Sequence, residues 1–225
     1  MLVLVVDTST PAVTASVVDV GANAQVESVA QRVTIDARAH GELLGPAIEA
    51  VLATARARPG DLTAIVAGLG PGPFTGLRVG LVTAAVMGQA LGIPTYGVCS
   101  LDGIGAQGTG AVLVATDARR KEIYWAAYRD GVRVLGPAVN RPADVLGVLA
   151  ADGFAPQFAV GVAAPLLSNA LPVPIREGRD YPQATLLATA AADRVHSGAS
   201  SEPLTPIYLR RPDAVEPTGR KLVRQ

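Results

Sequence analysis

Asp7 and Asp117 each close an apolar run, Leu2-Val3-Leu4-Val5-Val6 and Ala111-Val112-Leu113-Val114-Ala115-Thr116, so two carboxylates stand at matching strand ends in the two halves of the chain. Paired acids of this kind can hold a metal-bound nucleotide in a cleft between lobes, which is phosphotransferase chemistry. That chemistry also asks for a glycine-rich hairpin after each strand, so that backbone amides can approach phosphate. Thr10-Pro11-Ala12-Val13 and Arg119-Arg120-Lys121-Glu122 stand there instead. The residues therefore disfavour nucleotide hydrolysis, and an acid capping a turn is an adequate role for each. Asp7 and Asp117 are the candidate cleft residues.

A second candidate is Gly70-Pro71-Gly72-Pro73-Phe74-Thr75-Gly76-Leu77-Arg78-Val79-Gly80, a glycine-rich turn running from a strand into a helix that Thr75 is expected to cap. Such turns can hold phosphate at a helix N-terminus. This one lacks the Gly-Lys-Ser/Thr ending of a Walker loop and the Gly-x-Gly-x-x-Gly register of dinucleotide folds, and its prolines remove two amide donors. It reads first as a packing turn, and Arg78 suits a carboxylate or a structural role. His40 opens another helix, where a metal site would want a ligand one turn on, but Leu44 stands there. His196 and Cys99 have no ligand pattern around them, and no Gly-x-Ser-x-Gly elbow appears, so a metallopeptidase or other hydrolase has little support.

The elements that must position these residues alternate in type. Strands are expected over 2–6, 13–18 and 25–33, a helix over 40–57, a strand over 61–68, a helix over 75–91 and a strand over 95–99. A second cycle follows, with strands over 111–116, 122–128 and 132–135, a helix over 142–151, a strand over 157–161, a short helix over 164–170 and a final helix over 182–197. The repeated order predicts a duplicated α/β fold of two lobes, each a mixed sheet flanked by helices. The lobes are expected over 1–102 and 103–209, with a glycine-dense boundary near 103–110 and a mobile basic tail over 210–225.

At 225 residues and 49% hydrophobic content the chain can bury a substantial core. Lysine plus arginine balance aspartate plus glutamate at 19 each, so no global field advertises nucleic acid or an anionic membrane. The single cysteine fits a reducing compartment, and no run is expected to span a membrane or direct export, so the cytoplasm is expected.

Two helices carry more apolar pattern than one sheet needs. In the first, Leu43, Leu44, Ala47, Ile48, Val51, Leu52 and Ala55 form a double column; in the second, Gly76, Gly80, Ala84 and Gly88 recur every fourth residue on one nearly flat face. Both can pack on their own sheet, or one column and the flat face can receive a partner.

Together these residues resemble the TsaB (YeaZ) family of transfer-RNA threonylcarbamoyladenosine biosynthesis proteins. The resemblance covers nearly the whole chain and rests on Asp7-Thr8-Ser9, on the glycine-rich stretch, on Gly92-Ile93-Pro94 with Val98-Cys99-Ser100-Leu101, on Thr116-Asp117-Ala118-Arg119 with Glu122-Ile123-Tyr124, and on Pro206-Ile207-Tyr208-Leu209-Arg210. Where the family usually reads Gly-Pro-Gly-Ser-Phe-Thr-Gly-Leu-Arg, Pro73 replaces the serine.

The resemblance implies a ribonuclease H-like, actin- and Hsp70-like (ASKHA) fold. It also implies a non-catalytic role without cofactor or metal, in which TsaD performs the chemistry. TsaD transfers threonylcarbamoyl from its adenylate to the adenosine beside the anticodon of transfer RNAs reading codons that begin with A, and holds metal through a His-x-x-x-His pair where His40 and Leu44 would stand here. By resemblance the two helices would join TsaD in a four-helix interface through His40, Leu43, Leu44, Ala47, Ile48, Val51, Gly76, Gly80, Ala84, Met87 and Gly88. A homodimer is expected when the chain is alone, with the ATPase TsaE bound across the TsaB–TsaD pair and transfer RNA engaged only indirectly.

Overall fold

The computed structural model describes residues 1–23 and 25–210. The expected basic tail therefore lies outside the described residues, apart from Arg210. Two sheets are present. The first has the order β3-β2-β1-β4-β5, from β1 (Leu2–Asp7), β2 (Ala12–Val20), β3 (Val26–Ile35), β4 (Ala64–Gly68) and β5 (Thr95–Val98). β1 pairs antiparallel with β2 and parallel with β4, and it is buried from Val3 to its end, which is why it reads as one unbroken apolar run. The second sheet repeats the plan as β8-β7-β6-β9, from β6 (Ala111–Asp117), β7 (Ile123–Arg129), β8 (Val132–Asn140) and β9 (Phe158–Val160).

Alternation along β1 assigns its two faces. Leu4 and Val6 point into a core shared with α1 (His40–Thr54) and α2 (Phe74–Leu91), through Leu44, Ile48, Val51, Leu77 and Leu81. Val3 and Val5 point the other way, against Leu187, Ala188 and Ala191 of α5 (Ala184–Ser197). The last helix thus covers the first sheet, although the expected boundary groups it with the second half. In the second sheet, α4 (Pro142–Ala151) and a 3-10 turn at Ala164–Leu167 cover one face, and the other packs on Cys99, Leu101, Ile104 and Ile207. The turn is shorter than the expected helix over 164–170.

At the start of the expected boundary over 103–110 lies a short helix, α3 (Asp102–Gly105), with Gly103, Ile104 and Gly105 buried, whereas 107–109 are exposed bends. Asp102 accepts a hydrogen bond from Tyr128 Oη at 2.8 Å and lies 3.6 Å from Arg133, so a polar cluster joins the two lobes. Burial raises the Asp102 carboxyl above its usual range, against the pull of Arg133 and Tyr128, and pushes the Cys99 thiol up to about 11. Glycine at 105 lets α3 lie on the Tyr128 ring, because a Cβ there would stand 2.3 Å from it. Gly105→Ala should therefore cost about 1–3 kcal/mol of stability, the usual range for forced overpacking, read as a lower urea midpoint with an unchanged slope. An unchanged midpoint would mean that the junction yields freely.

Candidate functional site

Asp7 ends β1 inside a closed knot. Its Oδ1 accepts from the Ser9 amide at 3.0 Å and from Ser9 Oγ at 2.8 Å, and its Oδ2 accepts from Ser100 Oγ at 2.5 Å. Ser100 Oγ in turn accepts from the Gly70 amide at 3.0 Å, and the Ser100 amide donates to Gly70 O at 2.8 Å. Gly68 leaves the room: a Cβ there would fall 1.8 Å from Asp7 Oδ2. The carboxylate is buried, and desolvation raises its pKa above the usual value while the bonds from Ser100 and Ser9 oppose the rise. Both oxygens are engaged in tying the end of β1 to the loops after β4 and β5.

The cleft lies beside this knot, and it does not bring the two acids together. About 240 Å³ is lined by Thr8, Thr10, His40, Gly76, Asp117 and Arg119, with Asp7 beneath the surface. Asp117 is exposed, and its Oδ1 accepts from the Arg119 amide at 2.9 Å in a turn-capping role. The turn that follows runs through Arg119, Arg120 and Lys121 with φ of 64°, 50° and 63°, left-handed angles seldom taken by such residues. His40 Nε2 lies 2.8 Å from Thr10 O; a carbonyl only accepts, so Nε2 carries the hydrogen. Leu44 lies in the core, and among the described residues no three His, Cys, Asp or Glu side chains gather as a metal set.

α2 begins one residue earlier than expected, with Pro73 at the N-cap and Thr75 inside the first turn making no cap hydrogen bond. Its row of small residues faces inward. A Cβ on Gly80 would lie 2.5 Å from Thr8 Oγ1, one on Gly76 3.1 Å from Thr8 O, and one on Gly88 2.4 Å from Thr95. Thr8 Oγ1 donates to Gly76 O at 2.7 Å and accepts from the Gly80 amide at 3.0 Å, so the flat face of the glycine row is occupied by the chain's own Thr8 and Thr95. Leu44, Ala47, Ile48, Val51 and Ala84 are likewise buried in the chain's own core, and His40 is buried against Thr10. Of the expected partner row, only Leu43 and Met87 retain substantial exposure. By length and composition α2 could also cross a membrane, contrary to the expectation that no run would; here its glycine face lies on Thr8, just past β1, and on Thr95 of β5.

The outer face of α2 carries what the sequence reading passed over. Phe74, Arg78, Val82 and Val86 follow one another at four-residue spacing, and both valines are more than half exposed, at 59% and 58%. The signal was the same four-residue period, offset by two from the glycines. Next to this face runs the end of the described chain. Glu202 meets Arg194 at 2.7 Å, the Ile207 amide donates to Leu69 O at 2.8 Å, and Arg210 Nη1 donates to Ala118 O at 2.8 Å. Residues 199–210 thus form a strap from the first lobe to the turn after β6.

Because the Asp7 pKa is raised in the folded chain, the native state holds that proton more tightly than the unfolded state. The stability it contributes is greatest in acid and declines as pH rises from about 3.9, the unfolded value, to the native pKa, then levels. Asp102 acts in the same direction, so Asp7→Asn should flatten this decline without abolishing it, as read from urea midpoints across pH. A decline of unchanged depth in the variant would assign it to other groups.

Residues 29–194 match the family described as "TsaD: tRNA N6-adenosine threonylcarbamoyltransferase". An uncharacterized protein of Mycobacterium tuberculosis is 50% identical over 213 residues, covering 94% of this chain and 93% of that protein. The Escherichia coli tRNA threonylcarbamoyladenosine biosynthesis protein TsaB is 35% identical over 136 residues, 57% of this chain and 55% of its own length. Among solved structures, an uncharacterized Pseudomonas aeruginosa protein described as similar to the peptidase YeaZ superposes with a TM-score of 0.76 at 27% identity, over 93% of this chain and 99% of that one. Two mixed sheets flanked by helices in this order are the ribonuclease H-like, ASKHA arrangement. The match spans most of the sequence, and the chain belongs to the TsaD family, within which it is a TsaB/YeaZ-like member.

Proposed function

We propose that this chain is a non-catalytic partner and activator of the TsaD transferase, which modifies the adenosine beside the anticodon of transfer RNAs reading codons that begin with A. The observation that carries the reading is the outer face of α2, where Val82 and Val86 stand exposed along one line of a helix whose other face is already packed. Exposed β-branched side chains in register on a rigid helix suit the face of a second helix pair. The knot at Asp7 supports the same reading, since both carboxylate oxygens are committed to structure and none is presented to the cleft. A phosphotransferase built on Asp7 and Asp117 would need that carboxylate free.

In this proposal α1 and α2 dock on the transferase through their outward residues, Leu43, Val79, Val82, Val86 and Met87, instead of the glycine row. Alone in the cytoplasm, the same face closes on a second copy, as apolar helix pairs do across a twofold axis. TsaE binds across the pair, and the balanced charge of 19 against 19 leaves transfer RNA to the partner.

The test is threonylcarbamoyl transfer to transfer RNA by purified TsaD, TsaE and the threonylcarbamoyl-adenylate synthase, with this chain present or omitted. Transfer should depend on the chain. Val82→Asp with Val86→Asp should lower partner affinity by at least about tenfold while the fold holds, because a carboxylate would be forced into an apolar contact. Gly80 is unsuited to this test, since any side chain there strikes Thr8. Transfer that proceeds equally without the chain would overturn the proposal.

A further inference from the structure

The stripe on α2 begins with a feature that apolar docking does not use. The Arg78 guanidinium lies 3.8 Å from the centroid of the Phe74 ring, and its Nε donates to Tyr208 Oη at 2.8 Å. Tyr208 stacks on Phe74, with ring centroids 5.2 Å apart and planes 26° from parallel. Cation–ring contact and the Nε bond therefore fix the plane of a side chain that is otherwise free to sample many rotamers. The two terminal nitrogens remain, and no carboxylate among the described residues meets them, although Arg78 is the one charged residue of α2. Fixing an arginine on the surface lowers the entropy lost when its fork is later engaged.

We infer that Arg78, held by Phe74 and by the strap residue Tyr208, is a receptor for a carboxylate on the docking face of the TsaD partner. The inference rests on the proposed docking of α2. The chemistry is specific: the terminal edge of a guanidinium presents two parallel N–H donors that match the two oxygens of a carboxylate, a geometry that an ammonium lacks. Continuity favours the partner as the source, because Arg78 precedes Val82 and Val86 on one line of the helix and would close the end of the same interface. α2 offers no acid to meet a cation, so charge complementarity asks for an acidic residue opposite its first turn. An aromatic pair with an arginine is also the composition found where binding energy concentrates.

Tyr208 gives the strap a role in recognition, since it sits 130 residues from Arg78 in sequence and positions it. Tyr208 is a positioning residue: removing its hydroxyl leaves the ring stack but frees Nε.

The experiment is calorimetric titration of the full chain with purified TsaD at low and high salt, for the wild type and for Arg78→Met, Arg78→Lys, Tyr208→Phe and Val82→Asp. Thermal midpoints and sedimentation of each variant are measured alongside. Arg78→Met should bind about tenfold or more weakly and lose most of the salt dependence of the wild type. Arg78→Lys should lose a comparable share of affinity, because the fork is lost, yet keep the salt dependence, because the charge is kept, and Tyr208→Phe should fall between wild type and Arg78→Met in affinity. Wild-type affinity in Arg78→Met, with binding abolished by Val82→Asp, would overturn the inference and leave the docking proposal standing. Wild-type affinity in both would overturn docking through α2 and this inference with it. If Arg78→Met splits only the homodimer and leaves TsaD affinity unchanged, the carboxylate belongs to a second copy and the inference fails.

Discussion

The closeness of α2 to the end of β1 is the constraint on which the rest of the molecule depends. Thr8 both donates to and accepts from the α2 backbone, and this is possible only because Gly76 and Gly80 present no Cβ toward it. Glycine in a helix interior costs about 1 kcal/mol relative to alanine, so the arrangement is held by what the approach makes possible. Beside it, the parallel pairing of β1, β4 and β5 sets Asp7, Ser9, Ser100 and Gly70 within reach of one another, so a buried carboxylate has every bond it needs. With the glycine face of α2 on Thr8, its valines face away from the sheet.

A fold able to carry two acids at its cleft has here one acid locked and one in a surface turn. Asp7 remains at its strand end but acts as a hub for amides and hydroxyls, and Asp117 shapes a left-handed turn rich in arginine and lysine. His40 retains a place at the head of α1, yet its Nε2 hydrogen is given to Thr10 O. These residues keep positions suited to chemistry while their polar atoms serve architecture. That division is what the proposed non-catalytic role requires.

Much of the fold could be read from the sequence, because apolar runs ending in Asp7 and Asp117 and the repeated order of elements depend on local pattern. Less could be read about direction. A row of small residues says that something comes near, and nothing in its spacing says whether the neighbour is another chain or Thr8 of the same one. The double column of α1 was open for a related reason, since its spacing does not separate Leu44, Ala47, Ile48, Val51 and Leu52, buried in the chain's own core, from Leu43, which stays partly exposed. The placement of α5 was hidden because an amphipathic stripe does not name its sheet, and α3 because glycines that signal a loop also permit a helix under Tyr128. The Arg78 cluster joins residues 74 and 208, a relation visible only once the chain is folded.

The chain passes between the two lobes more than once. The stretch through α3 and the approach to α5 lie side by side, joined where the Gln183 amide donates to Gly103 O at 2.8 Å, and the strap crosses again where Arg210 reaches Ala118 and Glu122. Three segments of the chain therefore tie one lobe to the other, and the third is also tied to α2 through Tyr208. A change in the angle between the lobes would have to break the Arg210 contacts or carry the strap, and with it a contact of the outer helix.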